Sequence, residues 1–129
     1  MQTGRILKTI IIDDETRGRE LLHKMLQKFC CNVEVVALAD SADAGKKMIE
    51  EHHPDLVFLD IEMPHGSGFE MLERFERIDF NVVFVSAHKE HAMKAIKYSA
   101  LDYLLKPIDI TELRKAVKKA IVARPSHAN

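Results

Sequence analysis

The chain has 129 residues, of which 47% are hydrophobic and 30% are charged, a composition typical of one folded domain with a single core. It has no apolar run near the roughly 20 residues of a membrane-spanning helix and no signal-peptide core at its start. The only two cysteines, Cys30 and Cys31, are adjacent, which excludes a loop-closing disulfide and a zinc ribbon. We therefore expect a cytoplasmic protein that does not act at a membrane.

The charges are distributed unevenly along the chain. The formal net charge is −1, which gives no general attraction to nucleic acid or to anionic membranes. Residues 1–87 contain 10 Lys/Arg against 16 Asp/Glu, a net −6, whereas residues 88–129 contain 9 against 4, a net +5. This asymmetry indicates either two functional surfaces or, more simply, solvated helix faces.

Five short apolar runs predict β-strands. The first, third and fourth have few polar interruptions and many β-branched residues, as the buried central strands of a parallel sheet do. In chain order the runs are Ile6–Ile12, Val33–Leu38, Leu56–Leu59, Val82–Val85 and Tyr103–Leu105.

Each predicted strand is followed by apolar residues at helical spacing. Asp40 and Ser41 precede the second helix as candidate caps, and Asp109 or Thr111 precedes the fifth. The fourth pattern is sparse, which predicts a short helix. In chain order the apolar residues are Leu21, Leu22, Met25, Leu26 and Phe29; Ala44, Met48 and Ile49; Phe69, Met71, Leu72 and Phe75; Ala92, Ala95 and Ile96; and Leu113, Ala116, Val117, Ala120 and Ile121.

The alternation of five strands with five helices predicts right-handed crossovers and a doubly wound α/β fold. This fold is a three-layer sandwich with a five-stranded parallel sheet in the middle. Ligands of such folds bind outside the carboxyl ends of the strands, where the strand order reverses. The residues that follow each strand are therefore the candidate functional residues.

Polar side chains end four of the five predicted strands. Asp13 and Asp14 follow the first strand, Asp60 the third, Ser86 the fourth and Lys106 the fifth. Each residue also has a purely structural interpretation, since an aspartate can cap the first helix, a serine can serve a turn, and most lysines lie at the surface. Their common position at one edge of the sheet favours a shared site.

The chemistry of this set points to metal-assisted phosphoryl transfer. Clustered carboxylates repel each other unless a cation joins them, and oxygen ligands with room for water suit Mg²⁺. Beside such a cation, the carboxylate of Asp60 could attack phosphorus and become an acyl phosphate, while an ammonium and a hydroxyl neutralise the transferred group. Pro64, Gly66 and Gly68 turn the backbone away from Asp60 and leave room for a phosphodonor.

Four motifs resemble those of a known family. They are "IIIDDE", "LVFLDIEMPHGSGFEML", "VVFVSA" and "ALDYLLKP", and in this order they are similar to the receiver domain of bacterial two-component response regulators over residues 7–122. The resemblance implies a flavodoxin/CheY-like fold, a receiver domain at residues 1–124 and a disordered tail at 125–129. The stretch "SAHKEHAMKAIKYSALDYLLKP" is most similar to receivers of the LytTR-type subfamily.

The resemblance implies a phosphoacceptor and a set of metal ligands. Asp60 matches the aspartate that receives a phosphoryl group from a sensor histidine kinase or a histidine phosphotransfer protein. Asp14, Asp60 and the backbone carbonyl of Glu62 match direct Mg²⁺ ligands, and Asp13 matches a residue that acts on Mg²⁺ through water.

The resemblance also implies roles for residues near the other strand ends. Ser86 and Lys106 match the residues that contact the phosphoryl oxygens, and the Lys106–Pro107 peptide bond is expected to be cis. Tyr103 matches the aromatic switch that moves as Ser86 moves. Glu62 and His88, two residues after Asp60 and Ser86, border the route of attacking water and are expected to affect the lifetime of the aspartyl phosphate.

The function implied by the resemblance is a phosphorylation-activated signalling switch that controls a transcriptional output. It catalyses its own phosphotransfer and dephosphorylation and is otherwise not an enzyme. The expected partner surface, for a homodimer, is formed by the fourth helix, the fifth strand and the fifth helix, and DNA would be bound through an output domain outside this chain. The alternatives are a Mg²⁺-dependent phosphohydrolase with an aspartyl-phosphate intermediate and a stand-alone phosphorelay receiver.

Overall fold

A computed structural model describes residues 5–64 and 66–123. It confirms the predicted alternation of five strands with five α-helices. In chain order the elements are β1 (Leu7–Ile12), α1 (Thr16–Phe29), β2 (Val33–Ala39), α2 (Ala42–His52), β3 (Leu56–Asp60), α3 (Gly68–Glu73), β4 (Asn81–Ser86), a 3₁₀ turn (Lys89–His91), α4 (Ala92–Ile96), β5 (Asp102–Leu105) and α5 (Ile110–Val122). The predicted tail at 125–129 lies outside the described residues.

The five strands form one parallel sheet in the order β2-β1-β3-β4-β5. The chain moves outward from β1 to β2 and then returns to the other side of β1, so the strand order reverses between β1 and β3. Ile12 pairs with Leu59 across this reversal, and Asp60 pairs with Val85 on the next strand. The ends of β1, β3 and β4 therefore meet at one edge, as the doubly wound fold predicts.

Two apolar clusters cover the two faces of the sheet. One contains Ile10, Val57 and Phe84 and packs against α2, α3 and α4, whereas the other contains Ile11 and Phe58 and packs against α1 and α5. Adjacent strand residues such as Val57 and Phe58 thus belong to opposite clusters, as the two-residue period of a strand requires. The apolar runs of the central strands are explained by burial on both faces.

Three apolar residues lie differently from the helical patterns in the sequence. Leu21 of α1 is 55% exposed, because it lies about 100° around the helix from Leu22, which faces the core. Ile96 is 70% exposed for the same reason, since Ala95 takes the buried position of the short α4. Phe75 lies beyond the end of α3 and packs edge-on against Phe80, with ring centroids 5.5 Å apart.

Side-chain caps fix three of the helix starts near this edge. Ser41 accepts a hydrogen bond from the Ala44 amide at 3.1 Å, and Asp109 accepts one from the Glu112 amide at 3.0 Å. Of the candidate caps in the sequence, Ser41 therefore caps α2 and Asp109 caps α5. Ser67 forms a reciprocal capping box with Glu70 at the start of α3. Because α3 begins directly beside the end of β3, this box also fixes the loop that follows Asp60.

The described residues contain no helix that is both long and apolar enough to cross a membrane.

Candidate functional site

The structure brings the three predicted carboxylates together. One carboxylate oxygen each from Asp13, Asp14 and Asp60 lies within 4.8 Å of the other two. Asp13 is 5% and Asp60 2% exposed, whereas Asp14 is partly exposed. Buried carboxylates this close repel each other strongly, so the cluster needs a counter-charge.

Lys106 provides part of this counter-charge. Its Nζ lies 3.2 Å from Asp13 Oδ2 and 3.5 Å from Asp60 Oδ2, and its peptide bond to Pro107 is cis, as expected. Three ionised carboxylates and one ammonium sum to a charge of −2. This remainder equals the charge that one divalent cation would neutralise, and hard oxygen ligands are those that Mg²⁺ prefers. The residues of the cluster therefore fit a Mg²⁺ site.

Backbone groups orient the carboxylates toward one another. Asp13 Oδ1 accepts a hydrogen bond from the Glu15 amide at 2.9 Å, and Asp60 Oδ1 accepts one from the Glu62 amide at 3.2 Å. Helix α1 starts without a side-chain cap, which decides against Asp13 or Asp14 as its cap. Each bond leaves the second oxygen of the carboxylate, Oδ2, near Lys106.

The environment of Asp60 disfavours its charged form. Burial, followed by the nearby charge of Asp13, raises the pKa of Asp60 to about 8, although Lys106 acts in the opposite direction. Burial lowers the pKa of Lys106, but the charges of Asp60 and Asp13 outweigh this effect and leave that pKa above its ordinary value. Without a metal, the cluster thus relieves its repulsion by keeping a proton on Asp60.

This raised pKa predicts how stability depends on pH in the metal-free protein. Between the pKa of an unfolded aspartate, about 3.9, and the folded value of about 8, the native state binds more protons than the unfolded chain. The stabilisation from proton binding is complete below the lower value and is lost as pH rises through the upper one. Asp60→Asn removes this dependence, so its stability relative to the parent should grow with pH by up to about 1.4 kcal/mol per unit.

Chemical denaturation with EDTA present, at pH values from 4 to 9, measures this difference. The expected curve rises between the two pKa values and becomes flat above the higher one. A difference that stays constant over the whole range would contradict the raised pKa of Asp60.

A glycine in α1 makes room for the cluster. A Cβ atom at Gly18 would lie 2.7 Å from Asp13 Oδ2 and 3.7 Å from Lys106 Nζ, so any side chain there displaces the Asp13 carboxylate. We expect Gly18→Ala to weaken Mg²⁺ binding by about tenfold, a loss typical when the support of a ligand is disturbed. Calorimetric titration measures the change.

The matched control for this substitution is Gln27→Ala, an exposed position of the same helix. Alanine favours helix formation at both positions, more strongly in place of glycine, so a change in helix propensity alone would shift the two variants in the same direction. Equal Mg²⁺ affinities of Gly18→Ala and Gln27→Ala would contradict the role of Gly18.

Ser86 lies at the same edge, but its hydroxyl is bonded elsewhere. Ser86 is fully buried, and its Oγ lies 2.5 Å from Glu62 Oε2 and accepts a hydrogen bond from the His88 amide at 2.9 Å. The Tyr103 hydroxyl donates a hydrogen bond to the His88 carbonyl. Ser86, His88 and Tyr103 thus form one connected network beside the cluster.

The Glu62 side chain is the contact that sequence reasoning missed. The sequence assigned Glu62 a backbone role and a place beside the water route, whereas the structure directs its carboxylate to Ser86 and to His91, whose Nε2 lies 3.5 Å away. The signal that could have revealed this contact is the register of β3 and β4, in which Asp60 pairs with Val85. This register places Glu62, two residues after β3, close to Ser86, the last residue of β4.

Comparison with known proteins identifies the family of the chain. The family model of the response regulator receiver domain matches residues 9–118. An uncharacterized response regulatory protein of Vibrio cholerae is 40% identical over 117 residues, which cover 90% of this chain and 49% of that protein. The transcriptional regulatory protein BtsR of Escherichia coli K12 is 39% identical over 116 residues, which cover 88% of this chain and 48% of that protein.

A solved structure gives the same result. The signal receiver domain of the putative response regulator NarL from Mycobacterium tuberculosis is similar with a TM-score of 0.81 and 30% identity, and the match covers 93% of this chain and 99% of that one. The chain spans about half the length of the curated relatives it matches. The family match and the fold together show that the chain belongs to the response regulator receiver domain family.

Proposed function

We propose that the protein is a phosphorylation-activated switch whose acceptor is Asp60. The observation that carries this proposal is the cluster of Asp13, Asp14 and Asp60 with Lys106 at the reversal of strand order. The donor would be a phosphohistidine of a sensor histidine kinase or of a histidine phosphotransfer protein. The proposed setting is the cytoplasm, where such donors present their phosphohistidines.

In the proposed reaction, a carboxylate oxygen of Asp60 forms a bond to phosphorus while the bond from phosphorus to the donor nitrogen breaks. The donor histidine leaves with that electron pair. Lys106 is held within 3.5 Å of Asp60 Oδ2, where its ammonium can neutralise an oxygen of the transferred group. Mg²⁺, when bound by Asp13, Asp14, Asp60 and the backbone carbonyl of Glu62, would supply further charge neutralisation.

The response to phosphorylation would use the network beside the cluster. Ser86 would turn its hydroxyl to the phosphoryl group, and Tyr103 would move because both residues bond to His88. These movements would alter the surface of α4, β5 and α5, where Met93, Ile96 and Leu105 are exposed. We propose this surface for homodimerisation.

We also propose that the switch controls transcription and that its receiver is of the LytTR type. The similarity to BtsR, which is named a transcriptional regulatory protein, supports the first point, and the stretch from Ser86 to Pro107 supports the second. DNA would then be bound by an output domain in the part of the full-length protein that lies outside this chain. The reading frame around the corresponding gene segment tests both points, because it shows whether a LytTR-type domain follows.

Incubation with acetyl phosphate and Mg²⁺ distinguishes the proposed switch from a phosphohydrolase. We expect the protein to gain one phosphoryl group, visible as a mass increase that EDTA prevents, and to leave assorted phosphomonoesters intact. Turnover of the phosphomonoesters without a lasting label would favour the hydrolase, and absence of both would contradict the proposal. Transfer of the label to an added histidine phosphotransfer protein would favour the stand-alone phosphorelay receiver.

A further inference from the structure

The Ser86 hydroxyl has one proton, and the Glu62 carboxylate, the His88 carbonyl and the Tyr103 hydroxyl lie near it. Glu62 Oε2 is 2.5 Å from Oγ and the His88 carbonyl is 3.2 Å from it. The carboxylate is the stronger acceptor because it is charged and closer. In the described parts of the chain, the Ser86 hydroxyl makes no hydrogen bond to Asp60 or to the Lys106 side chain, and the Glu62 carboxylate is its closest acceptor.

Glu62 is itself held in place by a second element. His91 Nε2 lies 3.5 Å from the same Oε2 atom, and the His91 ring is edge-on to the Phe69 ring at 6.3 Å. The Glu62 carboxylate therefore joins the loop after β3 to the end of β4 and to the 3₁₀ turn before α4. The Ser86 hydroxyl has to leave this carboxylate if it is to turn toward Asp60.

We propose that Glu62 is a positioning residue that acts as a latch on the resting state. Its carboxylate holds Ser86 away from Asp60, and the phosphoryl group on Asp60 has to compete with it for the same hydroxyl. This inference rests on the proposed function, since the competitor is a phosphoryl group on Asp60. Glu62 would thus set the fraction of unphosphorylated molecules that already occupy the switched state.

The latch makes a measurable difference in the unphosphorylated protein. Glu62→Ala removes the acceptor and should raise the ratio of switched to resting molecules by about tenfold, as expected for the loss of a hydrogen bond to a charged group. Glu62→Gln keeps a neutral oxygen acceptor and should have a smaller effect. Because Glu62 is exposed, neither substitution leaves a cavity in the core.

Tyr103 provides the readout. The chain has two tyrosines, so after incorporation of 3-fluorotyrosine the ¹⁹F NMR spectrum has two signals, and Tyr98→Phe identifies that of Tyr103. In metal-free, unphosphorylated Glu62→Ala, the Tyr103 signal should move from the parent position toward that of the parent treated with acetyl phosphate and Mg²⁺. Glu90→Gln is the matched control, because Glu90 contacts His88, with 3.6 Å between Oε2 and Nδ1, and has no bond to Ser86.

A double-variant cycle separates a latch from a general effect on the loop. In a Ser86→Ala background the hydroxyl is absent, so Glu62→Ala should cause no further change in the Tyr103 signal. An equal change in both backgrounds would overturn the latch, and so would a parent-like signal in Glu62→Ala. Failure of the proposed function is recognised separately, by a parent protein that gains no phosphoryl group, whereas the latch fails if the metal-free Tyr103 signal of Glu62→Ala stays at the parent position.

Discussion

Asp60→Asn is expected to abolish phosphoryl uptake, with a rate at least about a thousandfold below that of the parent. The amide nitrogen and oxygen of asparagine carry no negative charge and are poor nucleophiles, so no acyl phosphate forms at this position. The substitution conserves shape and removes the repulsion with Asp13, the nearby charge that raises the pKa of Asp60. The fold should therefore persist, and the loss can be assigned to chemistry.

The measurement is the increase in intact mass with time after addition of acetyl phosphate and Mg²⁺. Asp43→Asn is the matched control, because Asp43 is an exposed aspartate that pairs with Arg74 at 2.7 Å and lies outside the cluster. We expect this control to be labelled at the parent rate. Labelling of Asp60→Asn at a rate near that of the parent would contradict the assignment of the acceptor.

The second large effect is expected on metal binding. The double substitution of Asp13→Asn and Asp14→Asn removes two of the three carboxylates, so the charge of the cluster with Lys106 changes from −2 to 0. Affinity for a hard divalent cation depends on the number of charged oxygen ligands, and we expect Mg²⁺ binding to weaken by about 100-fold or more. Calorimetric titration of the parent and the double variant measures this loss.

Two controls sharpen the metal prediction. Asp43→Asn should bind Mg²⁺ like the parent, because it lies outside the cluster. In the parent, binding near neutral pH should also release a proton, since the cation favours the ionised form of Asp60, whose pKa is raised to about 8 without metal. Titrations in buffers with different ionisation enthalpies detect this proton. Parent-like affinity in the double variant would refute the metal site.

The fold could be predicted from the sequence because the strand patterns, the helix patterns and their alternation all indicated the same architecture. The central strands carry apolar residues on both faces, and Val57 and Phe58 indeed enter opposite core clusters. Once the strands were placed, the parallel arrangement dictated that Asp13, Asp60 and Lys106 meet at one edge, and the contacts of Lys106 with both aspartates confirm this convergence. The convergence of these side chains could be predicted because it depends only on the direction in which the backbone runs.

The remaining details depend on side-chain geometry that a sequence pattern does not encode. Glu62 was expected beside the site, but its bond to Ser86 depends on the path of the loop after β3 and on where His91 stands. Leu21 was expected in the core because apolar residues are more often buried, yet it lies at the side of the face that Leu22, Met25 and Leu26 bury and is 55% exposed.

The position of the phosphoryl label tests the central claim most directly. After incubation with acetyl phosphate and Mg²⁺, borohydride reduction converts an acyl phosphate to a stable alcohol, and peptide mass spectrometry then locates the modified residue. The account predicts modification of Asp60 alone, with none when Mg²⁺ is chelated. A label on any other residue, or uptake that persists in Asp60→Asn, would contradict it.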